Sequence, residues 1–386
     1  MSPVCYSKMR WPHNCCWTFW AGVLLVIFAV GGLWKDARGQ LRNGIEAELL
    51  GQHSDWVRDV AFLPEHEYLA TSTQSGLVQL WDGATGKRVH VLSGHDESVL
   101  TIDVAPNGRL LAAGSADGTI SLWSLPDGEK VRVLREHKGK VFSVAFSPDG
   151  KTLASGGTDN RVRIWSVKRG VEMHTLLGHT RNVFSVAFSP KGDVLASGGA
   201  DGTVKIWALK ALPKPESRTF SGTEEVMALA FSPDGRDLIV GRGNAQAEVW
   251  SVSSGTIRQK LRSHERTVRD VDLAKEGRLL ALSSYDGYIS LWNREEGRYE
   301  RIRRFDAHDG SVYSVAFSPD AKQLLSGGSD AAACLWTPSD NAEEGMWRRA
   351  QMADQVSLQL EEKTDGRASL PEGSTVLVLK EEGSGA

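Results

Sequence analysis

Three stretches of this chain carry a histidine, a serine, an aspartate and a tryptophan at closely matching offsets. They are His137, Ser155, Asp159 and Trp165; His179, Ser197, Asp201 and Trp207; and His308, Ser326, Asp330 and Trp336. A serine hydroxyl, an imidazole and a carboxylate are the parts of a hydrolytic triad, in which the imidazole takes the hydroxyl proton and the carboxylate orients the imidazole. Other catalytic signatures are missing from the sequence: it has no Walker-type phosphate loop, no HExxH and no GxSxG. Its four cysteines, Cys5, Cys15, Cys16 and Cys334, include no pair at metal-ligand spacing, which excludes a disulfide scaffold and a cysteine zinc site. No metal or cofactor is expected. Lys+Arg 45 against Asp+Glu 48 gives a net charge of −3, which argues against a nucleic-acid binder driven by bulk charge.

The elements that hold these groups are read from their period. Tryptophans stand at 81, 123, 165, 207, 250, 292 and 336, spaced 42, 42, 42, 43, 42 and 44. Histidines at 53, 95, 137, 179, 264 and 308 each precede one of them by 28 residues, and Ser221-Gly222-Thr223 stands where the fifth would fall. Each unit holds four short β-branched runs, such as VFSVAF, TLASGG, RVRIW and the KRVHVL type. Pro148-Asp149-Gly150 and its equivalents turn the first run into the second, and Asp-Gly or Asp-Asn pairs turn the second into the third. A four-stranded antiparallel meander with little polar alternation needs cover on both faces, which radially stacked sheets provide. The fold class predicted is therefore all-β, a seven-bladed propeller over residues 41–340.

The Gly-His opening (Gly94-His95, Gly178-His179), the Asp 22 residues after the His and the Trp 28 residues after it resemble the WD-repeat family. A literal Trp-Asp survives only at Trp81-Asp82. The resemblance implies that the His, Ser, Asp and Trp of each unit form a buried hydrogen-bond relay. Repetition favours that over catalysis, because an enzyme needs one triad whereas a structural device recurs with decay. Decay is visible: Ala113 and Leu282 replace Ser in units 2 and 6, and Thr71 and Ser75 replace Ser and Asp in unit 1. The resemblance also implies that the N-terminal run IEAELL (45–50) completes the last blade, outside the 332–336 strand.

In WD-repeat propellers partners dock on the top face, over the central channel, where the residue after the first-strand Val points. Here those residues are Arg58, Leu100, Phe142, Phe184, Met227, Arg269 and Tyr313, with Trp56 and Tyr285 beside them. A ring of aromatic and aliphatic side chains with two arginines has the composition of a protein or peptide docking surface. The function expected is a non-enzymatic interaction scaffold. The alternative is a periplasmic or secreted propeller whose channel holds a metal or cofactor and works as an enzyme.

Two flanks complete the reading. Residues 15–34, CCWTFWAGVLLVIFAVGGLW, contain no Lys, Arg, Asp or Glu. As a helix they would be about 30 Å long, the thickness of a hydrocarbon core. A single-pass anchor over 15–34, within an N-terminal region 1–40, is expected. A signal peptide cleaved near Ala29-Val30-Gly31 is the rival reading. The basic residues flanking the run are balanced, so the positive-inside rule assigns no side. Residues 341–386 form an acidic tail, with nine acidic and five basic residues.

Overall fold

The computed structural model describes residues 33–34, 40–42, 45–50, 53–64, 68–211 and 217–338. All of them fall in one compact unit, Gly32–Gln351; the second unit, Met1–Gly31 with Met352–Ala386, lies outside the described residues, as does the acidic tail. Apart from Leu33 and Trp34, the expected anchor also lies outside them. Those two residues correct its C-terminal boundary: Leu33–Trp34 is a short strand paired with Gln40–Arg42, not the end of a helix. Among the described residues no helix is long and apolar enough to cross a membrane.

Each repeat folds as the turn chemistry requires. In the third, Val141–Phe146, Thr152–Gly157, Val162–Ser166 and Val171–Leu176 pair in that order, all antiparallel. The 159–160 hairpin places Asn160 at φ 63°, a left-handed conformation that Asn tolerates. Six such four-stranded sheets follow the chain. The seventh combines Val312–Phe317, Leu324–Gly328 and Ala333–Pro338 with Ile45–Leu49 from the start of the domain. The pairing sets Ala47 opposite Trp336 and Leu49 opposite Cys334. Gln40–Arg42 and Leu33–Trp34 extend this sheet outward by two more short strands.

The blades lock by a repeated notch. The first-strand valines Val57, Val99, Val141, Val183, Val226, Val268 and Val312 are all fully buried. Several sit against a glycine of the preceding blade. A Cβ on Gly156 would stand 2.6 Å from Val183 Cγ1, and one on Gly198 would stand 2.2 Å from Val226 Cγ1. The second-strand glycines are therefore present for close approach, and the same fit at Gly327 and Val57 joins blade 7 to blade 1.

A second stitch runs around the channel wall. The side chain two residues after that valine accepts a backbone N–H from the next blade. Asp59 accepts from Ile102 (2.7 Å), Ser143 from Val186 (3.1 Å), Ser185 from Leu229 (3.1 Å) and Asp270 from Val315 (3.1 Å). Thr101 and Ser314 make longer versions to Val144 and Val60, both at 3.4 Å. At the blade 5 position the residue is Ala228, which has no acceptor to offer. Asp103 and Asp272 add a further bond each, to the N–H groups of Phe146 and Phe317, both at 2.6 Å.

Candidate functional site: relays and channel mouth

The three full tetrads are assembled alike. Trp165 Nε1–H donates to Ser155 Oγ (2.8 Å), His137 Nε2 meets the same hydroxyl at 2.7 Å, and His137 Nδ1 meets Asp159 at 3.0 Å. In blade 4 the matching distances are 2.8, 2.8 and 2.9 Å through Trp207, Ser197, His179 and Asp201. In blade 7 they are 2.8, 2.7 and 2.9 Å through Trp336, Ser326, His308 and Asp330. The donor chain closes consistently if the hydroxyl proton goes to Nε2 and the Nδ1–H to the carboxylate. The serine–histidine–carboxylate order is that of a hydrolase, so burial decides what it can do. Ser155, Ser197 and Ser326 are 0% exposed, and each hydroxyl already accepts an indole N–H, so no substrate carbonyl can reach the oxygen.

The carboxylates tie the relay to the loop that carries the histidine. Burial works to raise the Asp201 carboxyl. The Thr180 N–H, the Thr203 hydroxyl and N–H and the His179 ring outweigh it and hold it down to about 2. Asp159 and Asp286 are likewise opposed by burial and held well below the carboxylate range, with the bond from the histidine the largest favourable cause.

The decayed units show how the same job is done with other residues. In blade 1 Thr71 Oγ1 takes both the Trp81 indole and His53 Nε2, each at 2.9 Å. Ser75 does not replace the aspartate: it bonds Thr73 instead (3.0 Å), and His53 Nδ1 is buried without a partner among the described residues. Burial, and then the Arg88 charge, lower the His53 pKa to about 4. In blade 2 Ala113 leaves His95 Nε2 buried and unpaired, although Nδ1 reaches Asp117 at 2.9 Å.

Blade 6 corrects the expectation that Leu282 ends the relay. Ser290, opposite Leu282 on the adjacent strand, accepts from Trp292 (3.0 Å) and meets His264 Nε2 (2.9 Å), while His264 Nδ1 contacts Asp286. The hydroxyl has moved to the residue two before the tryptophan. Blade 5 uses the same position for a charge. Glu248 accepts from both Trp250 Nε1 and Arg242 Nε at 2.9 Å, and Arg242 Nη1 donates to the Gly202 and Glu224 carbonyls. This buried ion pair does the tethering of the missing histidine, and Phe220 stacks on Trp250 at 5.6 Å. Sequence reading overlooked Ser290, Glu248 and Arg242. The signal was a polar residue two before Trp and an arginine where blades 3, 4 and 7 carry glycine and blades 1, 2 and 6 carry Thr or Ser.

The residues after the seven valines converge on one place. Arg58, Leu100, Phe142, Phe184, Met227, Arg269 and Tyr313 all line a single cavity at the channel mouth, together with Asp59 and Asp270. It holds about 60 Å³, room for a few waters and far below the several hundred cubic ångströms of an ordinary small-molecule site. The ring is not uniform. Phe142 and Phe184 meet edge to face at 5.1 Å on blades 3 and 4. On the other side Arg58 lies 4.5 Å over the Tyr313 ring, which Trp56 and Tyr285 approach at 6.0 and 5.8 Å. Leu100 and Tyr313 are buried and contribute as walls, whereas Trp56 is 44% exposed.

Asp103 and Asp270 are pushed up to about 7 and Asp272 to about 6, in each case first by loss of solvent in the narrow wall. The neighbouring Asp59 charge adds to the shift at Asp270 and, more weakly, at Asp103. Burial in the wall penalises the charged form, so these carboxyls are reluctant to ionise. Among the described residues no group of three or more His, Cys, Asp or Glu could hold a metal ion.

Comparison with known proteins agrees with this geometry. The family described as "WD40: WD domain, G-beta repeat" matches seven times, at residues 46–82, 86–124, 128–166, 170–208, 214–251, 255–293 and 299–337. The chain is 40% identical over 77 residues to apoptotic protease-activating factor 1 of Rattus norvegicus, covering 20% of this chain and 6% of that one. It is 28% identical over 123 residues to eukaryotic translation initiation factor 3 subunit I of Lodderomyces elongisporus, covering 32% and 31%. It is 34% identical over 85 residues to WD repeat-containing protein 1 of Gallus gallus, covering 21% and 14%. The matched part is thus less than a third of the length of each of these relatives. With seven family matches spanning more than half of its length and seven blades built on the repeat's own relay, the chain belongs to the WD-repeat family.

Proposed function

We propose that this propeller is a non-enzymatic scaffold that presents its channel mouth to protein or peptide partners, and that the apolar run before Leu33, residues 15–32, tethers it to a bilayer. The observation that carries the reading is the convergence of seven equivalent side chains on one surface, where five are apolar or aromatic and two are arginine. A solvated face of a monomer would be polar, and rigid aromatic anchors beside arginine are what interfaces use. The buried serine hydroxyls and the small mouth volume support presentation over turnover. The relatives named as a protease-activating factor and an initiation-factor subunit are in keeping with assembly work of this kind. For the tether, the support is the run of residues 15–32, which has no charged side chain. N-terminal sequencing of the mature chain distinguishes a retained anchor from a cleaved signal.

The docking test compares the full chain, solubilised in detergent, with its Phe142→Ala/Phe184→Ala variant. The variant is expected to melt like the parent and to lose the proteins that the parent co-purifies. Retention of the same proteins would show that they dock elsewhere.

A further inference from the structure

The channel mouth is chemically divided. Phe142, Phe184 and Met227 form an apolar arc on blades 3 to 5, while Arg58 and Arg269 stand at equivalent positions of blades 1 and 6, on either side of Tyr313. Among the described residues neither arginine makes an ion pair. Arg58 is held against the Tyr313 ring, and Arg269 makes no hydrogen bond there. The two carboxylates that share the mouth are already engaged. Asp59 accepts the Ser314 hydroxyl at 2.7 Å and the N–H of Ile102 at 2.7 Å, and Asp270 accepts the N–H groups of Val271 and Val315. Two guanidinium groups therefore share the mouth without an ion pair among the described residues, and Asp59 and Asp270 feel the Arg269 charge only from beyond ion-pair distance. Burial first, and the Arg269 charge next, lower the hold of Arg58 on its proton.

We propose that the Arg58–Arg269 pair binds a single carboxylate side chain of a partner peptide, whose neighbouring large apolar residue packs on the Phe142–Phe184 arc. The inference rests on the docking reading above and names the partner's chemistry. A carboxylate matches the planar fork of arginine and can bridge two of them. Two guanidinium groups that share the mouth with the carboxyls of Asp59 and Asp270 match a singly charged ligand better than a doubly charged phosphoryl group. The exposed Trp56 beside Arg58 supplies an apolar wall that shields the pair from water and strengthens it.

The probe is a displayed library of twelve-residue random peptides selected on the immobilised full chain in detergent, followed by affinity measurement of the enriched peptides. An Asp or Glu near a Leu, Phe or Trp is expected in the enriched set. Arg58→Gln/Arg269→Gln should weaken those peptides at least tenfold, Arg269→Gln alone should weaken them measurably, and Arg58→Lys/Arg269→Lys should restore part of the loss. Unchanged melting of Arg269→Gln separates lost recognition from lost folding. Enrichment without an acidic residue, or no enrichment, overturns the proposal. Binding that survives both arginine changes but is abolished by Phe142→Ala/Phe184→Ala overturns the carboxylate assignment and leaves the docking face standing. Binding that survives all of these variants overturns both. Tighter binding when phosphoserine replaces the acidic residue shows that the pair reads phosphate, and overturns the choice of a carboxylate.

Discussion

At the scale of single residues, six of the seven blades tie a buried indole N–H to the loop above it, while among the described residues blades 1 and 2 each leave a histidine nitrogen unpaired. Ser155, Ser197 and Ser326 do it with a hydroxyl on the second strand, Ser290 with one on the third, and Glu248 with a carboxylate that also holds Arg242. The three full tetrads were legible because type and offset repeat together. Ser290 and Glu248 were not, since a residue facing the same indole from the neighbouring strand has a different offset in sequence but an equivalent place in space. Two expectations follow. Ser290→Ala should destabilise as Ser155→Ala does, by about 1–3 kcal/mol, because each leaves an imidazole and an indole without their shared partner. Ala113→Ser, which offers His95 Nε2 the hydroxyl it lacks, should stabilise by about 1 kcal/mol. Urea unfolding of the three variants checks both. A neutral Ser290→Ala would mean that Ser290 is not the blade 6 relay.

At the scale of strands, two devices join blades, and they differ in how visible they are. The valine and glycine text of VFSVAF and ASGG is obvious as a repeat, but that the valine of one unit enters the glycine notch of the previous one is a property of the ring. Gly198→Ala puts a methyl 2.2 Å from Val226 Cγ1 and should cost about 1–3 kcal/mol by overpacking. Much of that loss should return in Gly198→Ala/Val226→Ala, measured as a double-mutant cycle; strict additivity would contradict the notch. The channel-wall carboxylates give the second device a pH signature. An aspartate at about 7 in the folded chain, against an ordinary 3.8, keeps a proton that the unfolded chain has released. Its contribution to stability is therefore greatest at acid pH and falls as pH rises from about 4 to 7. His53, lowered to about 4, works in the opposite direction between about 4 and 6.5. Removing one wall charge isolates the first effect. The difference in Tm between Asp103→Asn and the parent should shift in favour of the variant on going from pH 5 to pH 8. A difference that is constant or moves the other way would contradict it. In sequence, VRDVAF and VRDVDL showed only an aspartate inside an apolar strand; its purpose requires the adjacent blade.

At the scale of the whole molecule, blade count and strand order were legible from the tryptophan period, and the channel-mouth ring from the residue after each valine. The unequal character of that ring was not, because the cluster around Tyr313 forms only where Trp56 and Arg58 of blade 1 and Tyr285 of blade 6 come together. The mouth exists only because the last blade closes on the first, with Ile45–Leu49 supplying the outer strand. Leu49 and Cys334 are direct partners there, adjacent to the Leu50 N–H that bonds the Ala333 carbonyl, so they form the closer, non-hydrogen-bonded type of pair. Leu49→Cys, in a chain whose Cys5, Cys15 and Cys16 are serine, places two thiols where a disulfide fits. Under mild oxidation, peptide mapping should recover residues 49 and 334 in one cross-linked fragment from monomeric protein. Free thiols at both positions, or cross-links only between molecules, would contradict the closed ring.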